Sequence, residues 1–315
     1  MQAEAKQTVS KAIFQRMGSL VGLVVIFIAL SLISSDFLTV SNMFNVLRQI
    51  SINALIAFGM TFVILTGGID LSVGSIFALS SALAAGMMAS GTDPFVAIMV
   101  GLAAGAVMGA ANGILIAKGK VAPFIATLAT MTVFRGLTLV YTEGKPITGL
   151  PESFALFGKG FFLDIPMPII WMLIAFVILY VILKHSTFGR HVYALGSNEE
   201  ATKLSGINTS KVKVYVYSIS GLLAALSGII LTSRLNSAQA TAGMSYELDA
   251  IAAVVLGGTS LSGGKGWIVG TLIGAMIIGV LDNGLNLLNV SSFYQQVVKG
   301  GVILIAVLLD RSKSK

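Results

Sequence analysis

Two cations lie inside long apolar runs of this chain. Arg135 and Lys299 are each six or seven residues from the end of such a run, about 10 Å along a helix at about 1.5 Å per residue. A cation held away from water costs several kcal/mol unless it pairs, reaches the polar interface or faces an aqueous cavity. We predict that both line a polar translocation pathway, and the alternative is a structural ion pair or a side chain that reaches the interface.

Two carboxylates stand at expected helix starts. Asp70 follows Gly67-Gly68, and Asp249 follows Glu247. A carboxylate there accepts hydrogen bonds from free backbone N–H groups and complements the helix dipole. We favour this capping role over an ion-coupling carboxylate deep in a membrane.

Enzyme, nucleotide and metal sites are not indicated. A phosphate loop needs a Gly, four further residues and then Gly-Lys-Ser/Thr. The segment GGTSLSGGKG (257–266) does not match, because Thr259 occupies the position of the first Gly and Gly266 that of the Ser/Thr. His185 and His191 share a basic loop, and the chain has no cysteine. We expect this chain to bind no metal or cofactor and to catalyse no reaction itself.

Composition predicts the elements that position these residues. Of 315 residues, 56% are hydrophobic and 10% charged, whereas a soluble domain carries about 25% charged residues. Most of the surface must therefore contact membrane lipid, which predicts an all-α membrane protein. The net charge of +7 comes from short clusters between apolar runs, so nucleic acid is not an expected partner.

Apolar runs of about 20 residues can cross a bilayer as helices. The chain has about ten: 18–35, 51–67, 71–90, 95–117, 122–142, 166–184, 213–232, 248–261, 267–288 and 293–309. The first lacks a cleavage pattern, so we interpret it as a retained membrane helix rather than a signal peptide. This arrangement puts 14 of the 20 basic residues on one side and four (Arg48, Lys145, Lys159 and Arg234) on the other. The basic side is expected to be cytoplasmic and to hold both termini.

Spans 2–5 resemble spans 7–10. Each set contains Gly-x-x-x-Gly followed by Asn-Gly (112–113 and 283–284), then a helix that opens with Phe and carries one cation. Matching helices are five spans apart, so the halves, about 51–142 and 213–309, run in opposite directions. The pattern predicts an inverted-topology repeat, as many transport proteins have, within a single domain, 1–315.

Small residues mark the expected closest helix contacts. Gly-x-x-x-Gly spacing places one glycine on the same helix face every four residues, which lets two backbones approach closely. We favour plain tight packing over a sliding interface for these positions: Gly101, Gly105, Gly109, Gly113, Gly270 and Gly274.

The loop 185–212 is the longest expected cytoplasmic segment. Ser197 or Asn198 can cap a short helix that has Glu199 and Glu200 in its first turn and ends at Gly206. A short capped helix suits docking of a partner, and an ordinary connector is the alternative.

Several long segments carry a family resemblance: GMTFVILTGGIDLSVGS (59–75), AKGKVAPFIATL (117–128), YALGSNEEATKLSGIN (193–208), TAGMSYELDAIAAVVLGGTSLSGGKG (241–266) and DNGLNLLNVSS (282–292). Through them nearly the whole chain resembles the permease subunits of sugar importers of the ATP-binding-cassette class, with ribose as the implied sugar. The resemblance implies that family's permease fold in the bacterial inner membrane.

The resemblance also implies partners. These are a second copy of this chain, cytoplasmic ATP-binding subunits that hold ATP and Mg²⁺, and a periplasmic sugar-binding protein. It implies that 198–207 is the coupling helix that docks on the ATPase, through Asn198, Glu199, Glu200, Ala201, Leu204 and Gly206. Importers of this class share a Glu-Ala-Ala…Gly pattern there. This chain has Glu199-Glu200-Ala201 and then Gly206, so Glu200 departs from the pattern.

Two other classes compete with an ATP-driven permease. An ion-coupled secondary sugar carrier also explains an inverted repeat, but it usually needs carboxylates or broken helices at the bilayer centre, which the sequence does not make evident. A membrane enzyme ranks last. Sugar flux with and without ATP separates the first two.

Overall fold

The computed structural model describes residues 2–313, with side chains described for residues 18–304, 307 and 308. The regular secondary structure of the described residues is helical apart from one two-stranded hairpin, β1 (Phe161–Phe162) and β2 (Ile165–Pro166), and an isolated bridge between Ile147 and Ala238. Its helices are α1 Gln2–Ile33, α2 Val40–Leu65, α3 Val73–Ala89, α4 Pro94–Ala117, α5 Pro123–Thr142, α6 Glu152–Lys159, α7 Met167–His185, α8 Thr187–Ser197, α9 Glu199–Leu204, α10 Thr209–Leu235, α11 Tyr246–Leu256, α12 Ile268–Leu287 and α13 Ser292–Lys313.

Local signals set several helix ends. Pro94 and Pro123 open α4 and α5, where the missing N–H has no helical partner to lose. Asp93 caps α4 by accepting the N–H of Phe95 at 2.9 Å. Glu143 and Asn236 adopt left-handed backbone at the ends of α5 and α10, which turns the chain out of each helix.

Six helices among the described residues are long and apolar enough to cross a membrane: α2, α4, α5, α7, α10 and α12. Two shorter apolar helices accompany them, Gly18–Ile33 within α1 and α3. The chain is therefore an all-helical, multi-pass membrane protein.

The structure corrects three of the expected boundaries. The span placed at 51–67 begins at Val40, so Arg48 lies within a helix and not in a loop. Arg234 likewise lies in the last turn of α10. The span placed at 248–261 is the 11-residue helix α11, which ends at Leu256 because the chain turns at Gly257 and Gly258. The terminal cations used to assign sidedness lie outside the residues whose side chains are described: Lys6, Lys11, Arg16, Arg311, Lys313 and Lys315.

Helices α2 and α10 form the centre of the bundle and pack against each other. Hydroxyl groups link them to their neighbours, since a hydroxyl buried in an apolar interior needs a partner. Ser227 Oγ of α10 donates to the carbonyl of Ile52 in α2 at 2.7 Å. The hydroxyls of Thr61 in α2 and Thr271 in α12 lie 2.7 Å apart.

The glycines of α4 lie buried against α10. A Cβ added at Gly105 would overlap Ala225, one at Gly109 would overlap the backbone at Tyr217, and one at Gly113 would lie 2.6 Å from the Cα of Val214. A Cβ at Gly101 would meet Ile229 at 3.0 Å. The helices therefore touch backbone to backbone, which only glycine allows.

Glycines of α12 contact α11 in the same way. A Cβ added at Gly270 would overlap the carbonyl of Gly257, and one at Gly274 would overlap the carbonyl of Ala253. Both small-residue patterns thus lie where two helix backbones meet.

Candidate transport and coupling sites

Lys299 joins three helices through two ion pairs. Its Nζ lies 3.0 Å from an oxygen of Asp249 in α11 and 2.9 Å from an oxygen of Asp282 in α12. The side chains of Asp249 and Asp282 are only 7% and 5% exposed, and that of Lys299 is 23% exposed. Such a cation is held by charge-assisted hydrogen bonds that fix α13 against α11 and α12. We call these three residues the acidic–lysine triad.

The triad changes the interpretation of Asp249. The sequence suggested that this residue caps a helix, but α11 begins after Ser245 without a side-chain cap. The described contact of the Asp249 carboxylate is the ion pair with Lys299. Lys299 is therefore paired, and whether it also lines the translocation pathway stays a prediction.

Arg135 is held by backbone carbonyl groups. Its guanidinium donates to the carbonyls of Ala240 at 2.7 Å, Ala242 at 2.9 Å and Gly74 at 3.1 Å. Planar guanidinium donors suit several carbonyl acceptors at once. Arg135 thereby ties α5 to the start of α3 and to the segment before α11, and its place in the pathway also stays a prediction.

Asp70 lies fully buried at a break between α2 and α3. One carboxylate oxygen accepts the N–H of Ser72 at 3.0 Å and its hydroxyl at 2.6 Å, and the other accepts the hydroxyl of Ser220 at 3.0 Å. The amide of Asn112 donates to Ser72 Oγ at 2.7 Å. Helix α3 has Ser72 as its N-cap and no side-chain cap, so Asp70 bonds the backbone just before the helix and does not cap its first turn. The network joins α3, α4 and α10. Asp70, Asp249 and Asp282 are thus carboxylates buried inside the bundle, which the sequence did not make evident.

Helices α5 and α13 present polar groups on exposed faces. Thr132 of α5 and Gln296 of α13 are exposed. A Cβ added at Gly136 of α5, or at Gly300 or Gly301 of α13, would meet nothing within 4 Å. The Thr132 hydroxyl donates to the carbonyl of Leu128 in its own helix at 3.2 Å, whereas an exposed amide such as that of Gln296 is unfavourable against lipid tails. These two faces are candidates for a contact or a water-lined surface.

The expected short helix is present as α9. Asn198 caps it by accepting the N–H of Ala201 at 2.9 Å, and Gly206 follows it with φ of 82°. Glu199 and Glu200 form the first turn, as expected, and Leu204 is the last residue. The Leu204 side chain is 90% exposed. A preceding helix, α8, was not expected, and together α8 and α9 make a compact helical element.

Two lysines hold Glu199 in place. Its carboxylate accepts from Lys213 of α10 at 2.8 Å and pairs with Lys203 at 3.1 Å. Partial burial acts to raise the pKa of Glu199, but the hydrogen bonds from Lys213 and Lys203 outweigh it, so the pKa lies below its usual value. The pair with Lys213 thus fastens α9 to the start of α10, and the pair with Lys203 lies within α9.

The turn 257–266 packs directly against α8. The N–H of Gly264 donates to the carbonyl of Leu65, the last residue of α2, at 2.9 Å, and Tyr193 Oη of α8 donates to the carbonyl of Gly266 at 2.9 Å. A Cβ added at Gly196 would overlap the Leu65 carbonyl, and one at Gly263 would lie 2.9 Å from the amide of Gly67. We call this contact of α8, the turn and the end of α2 the glycine junction.

The glycine stripe, the capped helix and the two cations were identifiable from sequence. Their partners were not, because Asp249, Asp282 and the carbonyls around Arg135 lie between 17 and 107 residues away along the chain. Asp282 was visible only as part of a long matching segment. Its pairing with a lysine 17 residues later depends on the packing of α12 and α13.

Comparison with known proteins identifies the family. Residues 42–307 match the family described as the permease component of branched-chain amino acid transport systems. The ribose import permease protein of Bacillus subtilis is 65% identical, with 100% of this chain and 98% of that protein covered. The ribose import permease proteins of Haemophilus influenzae and Escherichia coli are 56% and 55% identical, and 93% and 96% of this chain are covered. The matches cover 92% of the length of the Haemophilus influenzae protein and 96% of that of the Escherichia coli protein.

No solved structure matches the chain. Since the family match extends over residues 42–307 and the first relative is covered almost from end to end, the chain belongs to this family of transport-system permeases.

Proposed function

We propose that this chain is the membrane-spanning subunit of an ATP-binding-cassette importer that moves ribose into the cytoplasm. The observation that carries the proposal is identity of 55–65% to three ribose import permeases, which extends over nearly the whole chain. The geometry is consistent with it, since the chain combines membrane helices with a helical element suited to docking. The test is uptake of labelled ribose by vesicles that contain the complete transporter, with ATP present or absent. Uptake that does not need ATP would refute the proposal.

The ATPase dock is α9. Its exposed Leu204 can enter an apolar cleft on a partner, while the cap at Asn198 and the ion pairs of Glu199 keep the helix rigid. A rigid helix transmits displacement better than a flexible loop. Because the chain has no phosphate loop, ATP and Mg²⁺ belong to the partner.

The glycine junction supplies the route by which α9 acts on the membrane helices. The backbone of α8 contacts the end of α2 and the turn 257–266 directly. A displacement of α8 and α9 would therefore be passed on with little side chain between them to absorb the movement. Close-packed contacts transmit displacement because protein interiors have low compressibility. The displacement continues into the break that contains Asp70 and into α11.

About ten membrane crossings and an inverted repeat complete the proposed architecture. Packing supports the repeat, because α3 contacts α4 and α5 whereas α11 contacts α12 and α13. Likewise α4 packs on α10 whereas α12 packs on α2. Exchanging α2, α3, α4 and α5 for α10, α11, α12 and α13 therefore reproduces these pairs of neighbours, although α4 contacts α5 more closely than α12 contacts α13. Sidedness follows from the distribution of basic residues, with both termini and α9 in the cytoplasm and the membrane being the bacterial inner membrane.

A second copy of this chain covers the polar faces of α5 and α13. Glycines with open space at Gly136, Gly300 and Gly301 allow close approach of another helix. The amide of Gln296 can donate and accept hydrogen bonds there, and the Thr132 hydroxyl, which donates to Leu128, can accept one. The sugar then passes between the two copies, with Arg135 and Lys299 near the path. A soluble periplasmic sugar-binding protein docks on the opposite side from α9, where α6 carries Glu152 and Lys159.

An ion-coupled sugar carrier is the second candidate, and the buried carboxylates favour it. Asp70, Asp249 and Asp282 lie inside the bundle, and carriers use such groups to couple proton movement to transport. A proton gradient that drives ribose uptake without ATP would establish this candidate and exclude the first.

A further inference from the structure

Asp70 is a buried carboxylate whose charge no described residue neutralises. Asp249 and Asp282 share the ammonium group of Lys299, whereas none of the salt bridges among the described residues includes Asp70. The guanidinium of Arg135 is bonded to backbone carbonyl groups instead. A carboxylate that keeps its charge inside an apolar bundle needs a positive charge beside it.

Two polar atoms beside Asp70 lack a hydrogen-bond partner among the described residues. Asn112 is fully buried, and its Nδ2 donates to Ser72 Oγ at 2.7 Å, but its Oδ1 is unpartnered. Tyr217 is 1% exposed, and its Oη is also unpartnered. A Cβ added at Gly68, two residues before Asp70, would overlap that hydroxyl. Because buried polar atoms are nearly always partnered, the two atoms indicate a ligand at this place.

Helix geometry directs these atoms to one site. Ser220, whose hydroxyl donates to Asp70 at 3.0 Å, lies three residues after Tyr217 and so on the same face of α10. Gly109 of α4 packs against the backbone at Tyr217, and Asn112 lies three residues further along that face of α4. We call the following residues the Asp70 cluster: Asp70, Ser72, Asn112, Tyr217 and Ser220.

The groups of the cluster that are free to bind a ligand are oxygens. A carboxylate has about four lone-pair sites, and the Asp70 carboxylate accepts three hydrogen bonds, from the N–H and hydroxyl of Ser72 and the hydroxyl of Ser220. One site therefore remains, together with the Asn112 Oδ1 and the Tyr217 Oη. The chain between α2 and α3 is not helical, and carbonyl groups of such breaks coordinate sodium in other membrane proteins. Oxygen ligands suit a hard cation, and a single carboxylate balances one positive charge.

We propose that the Asp70 cluster binds one sodium ion, which fixes the break between α2 and α3 against α4 and α10. A proton would neutralise the carboxylate but leave the Asn112 and Tyr217 oxygens without a partner. A water molecule would bond those oxygens but leave the charge. A sodium ion satisfies both. The sequence did not indicate this site, since a monovalent cation needs neither histidine nor cysteine.

The test measures the unfolding equilibrium of the purified full-length chain in detergent micelles. Sodium chloride is replaced stepwise by choline chloride at constant ionic strength, because choline is too large for a site inside the bundle. A ligand that binds only the folded state raises the folding constant about tenfold for each tenfold rise in concentration above its dissociation constant. We expect this dependence for wild type. Stability that does not change with sodium would overturn the proposal and leave water or a proton as the occupant.

Tyr217→Phe separates ion binding from packing. The Tyr217 hydroxyl has no described partner, so its removal alone breaks no hydrogen bond, whereas loss of a ligand should move the sodium midpoint upward by about tenfold or more. Asp70→Asn removes the charge and should abolish the dependence. Tyr215→Phe is the matched control, since Tyr215 lies on the same helix and is 58% exposed. An unchanged sodium midpoint in Tyr217→Phe or in Asp70→Asn would overturn the proposal.

Direct binding of sodium-22 to the same micelles gives the stoichiometry. One ion per chain is expected for wild type and for Tyr215→Phe, with weaker binding by Tyr217→Phe, and this comparison holds even if Asp70→Asn does not fold. Absence of binding to wild type would refute the site. Because these measurements involve neither ribose nor ATP, their outcome is independent of the proposed transport function.

Discussion

Removal of Lys299 tests how the acidic–lysine triad stabilises this protein. Lys299→Met keeps a long unbranched side chain but removes the positive charge that lies 3.0 Å from Asp249 and 2.9 Å from Asp282. Both carboxylates are nearly inaccessible, so water cannot replace the lost cation. The variant therefore leaves two like charges close together inside the bundle.

The magnitude follows from the burial of the pair. Breaking a buried ion pair by removing one partner costs about 3–5 kcal/mol. Lys299 itself is 23% exposed, so part of its charge is already screened by solvent or lipid headgroups, and we expect a value near the lower limit, about 3 kcal/mol. Helix α13 loses most, because its main helical neighbour is α11, the helix that carries Asp249.

The assay is reversible unfolding in mixed detergent micelles, with the free energy of unfolding measured for each variant. The triple variant Lys299→Met, Asp249→Asn, Asp282→Asn removes all three charges and is expected to recover most of the lost free energy, to within about 1 kcal/mol of wild type. Lys145→Met is the matched control, because Lys145 pairs with Glu143 at 3.5 Å on the exposed surface, where ion pairs contribute little. A loss below about 1 kcal/mol for Lys299→Met, or no recovery in the triple variant, would show that the triad does not hold α13 in place.

Further predictions concern the coupling element. Leu204 is the last residue of α9, so Leu204→Pro disturbs only the final turn, whereas Leu204→Glu tests docking with the helix intact. Both variants are expected to insert into the membrane and to lose ATP-dependent uptake. Normal uptake by either variant would place the dock elsewhere. Gly196→Ala forces a Cβ against the Leu65 carbonyl, at about 1–3 kcal/mol of overpacking, and should uncouple ATP hydrolysis from transport. Gly22→Ala in α1, where an added Cβ meets nothing within 4 Å, is the control and should retain activity. Because the folded-state pKa of Glu199 is depressed, its stabilisation of α9 is present above the unfolded pKa of about 4.3 and is lost as the pH falls through the folded value. Hydrogen exchange in α9 should therefore be faster in Glu199→Gln than in wild type at pH 7 and equal at acidic pH, and an equal rate at both pH values would contradict the role of the pairs. A cysteine introduced at Lys203 should resist an impermeant reagent added outside intact cells, whereas one at Lys159 should react.

Some features of this protein were fixed by local sequence. The scarcity of charge means that most of the surface must face lipid. A segment in lipid must satisfy its own backbone hydrogen bonds and therefore forms a helix. Helix α9 was predicted to within a residue or two because its cap, acidic first turn and terminal glycine act over a few residues. The glycines of α4 were likewise predicted to face a helix, since spacing alone determines which residues share a helix face.

Tertiary structure decided what those elements meet. No local pattern indicated that α10 is the helix against the α4 glycines, that Asp249 pairs with Lys299 instead of capping α11, or that Gly196 touches the end of α2. The early start of α2 also escaped detection, because Ser41, Asn42 and Arg48 resemble loop residues until Asn42 is seen bonded to Asn283. These contacts join residues far apart in the chain, and their free energy depends on burial and on the partner's position, which only the packed bundle specifies.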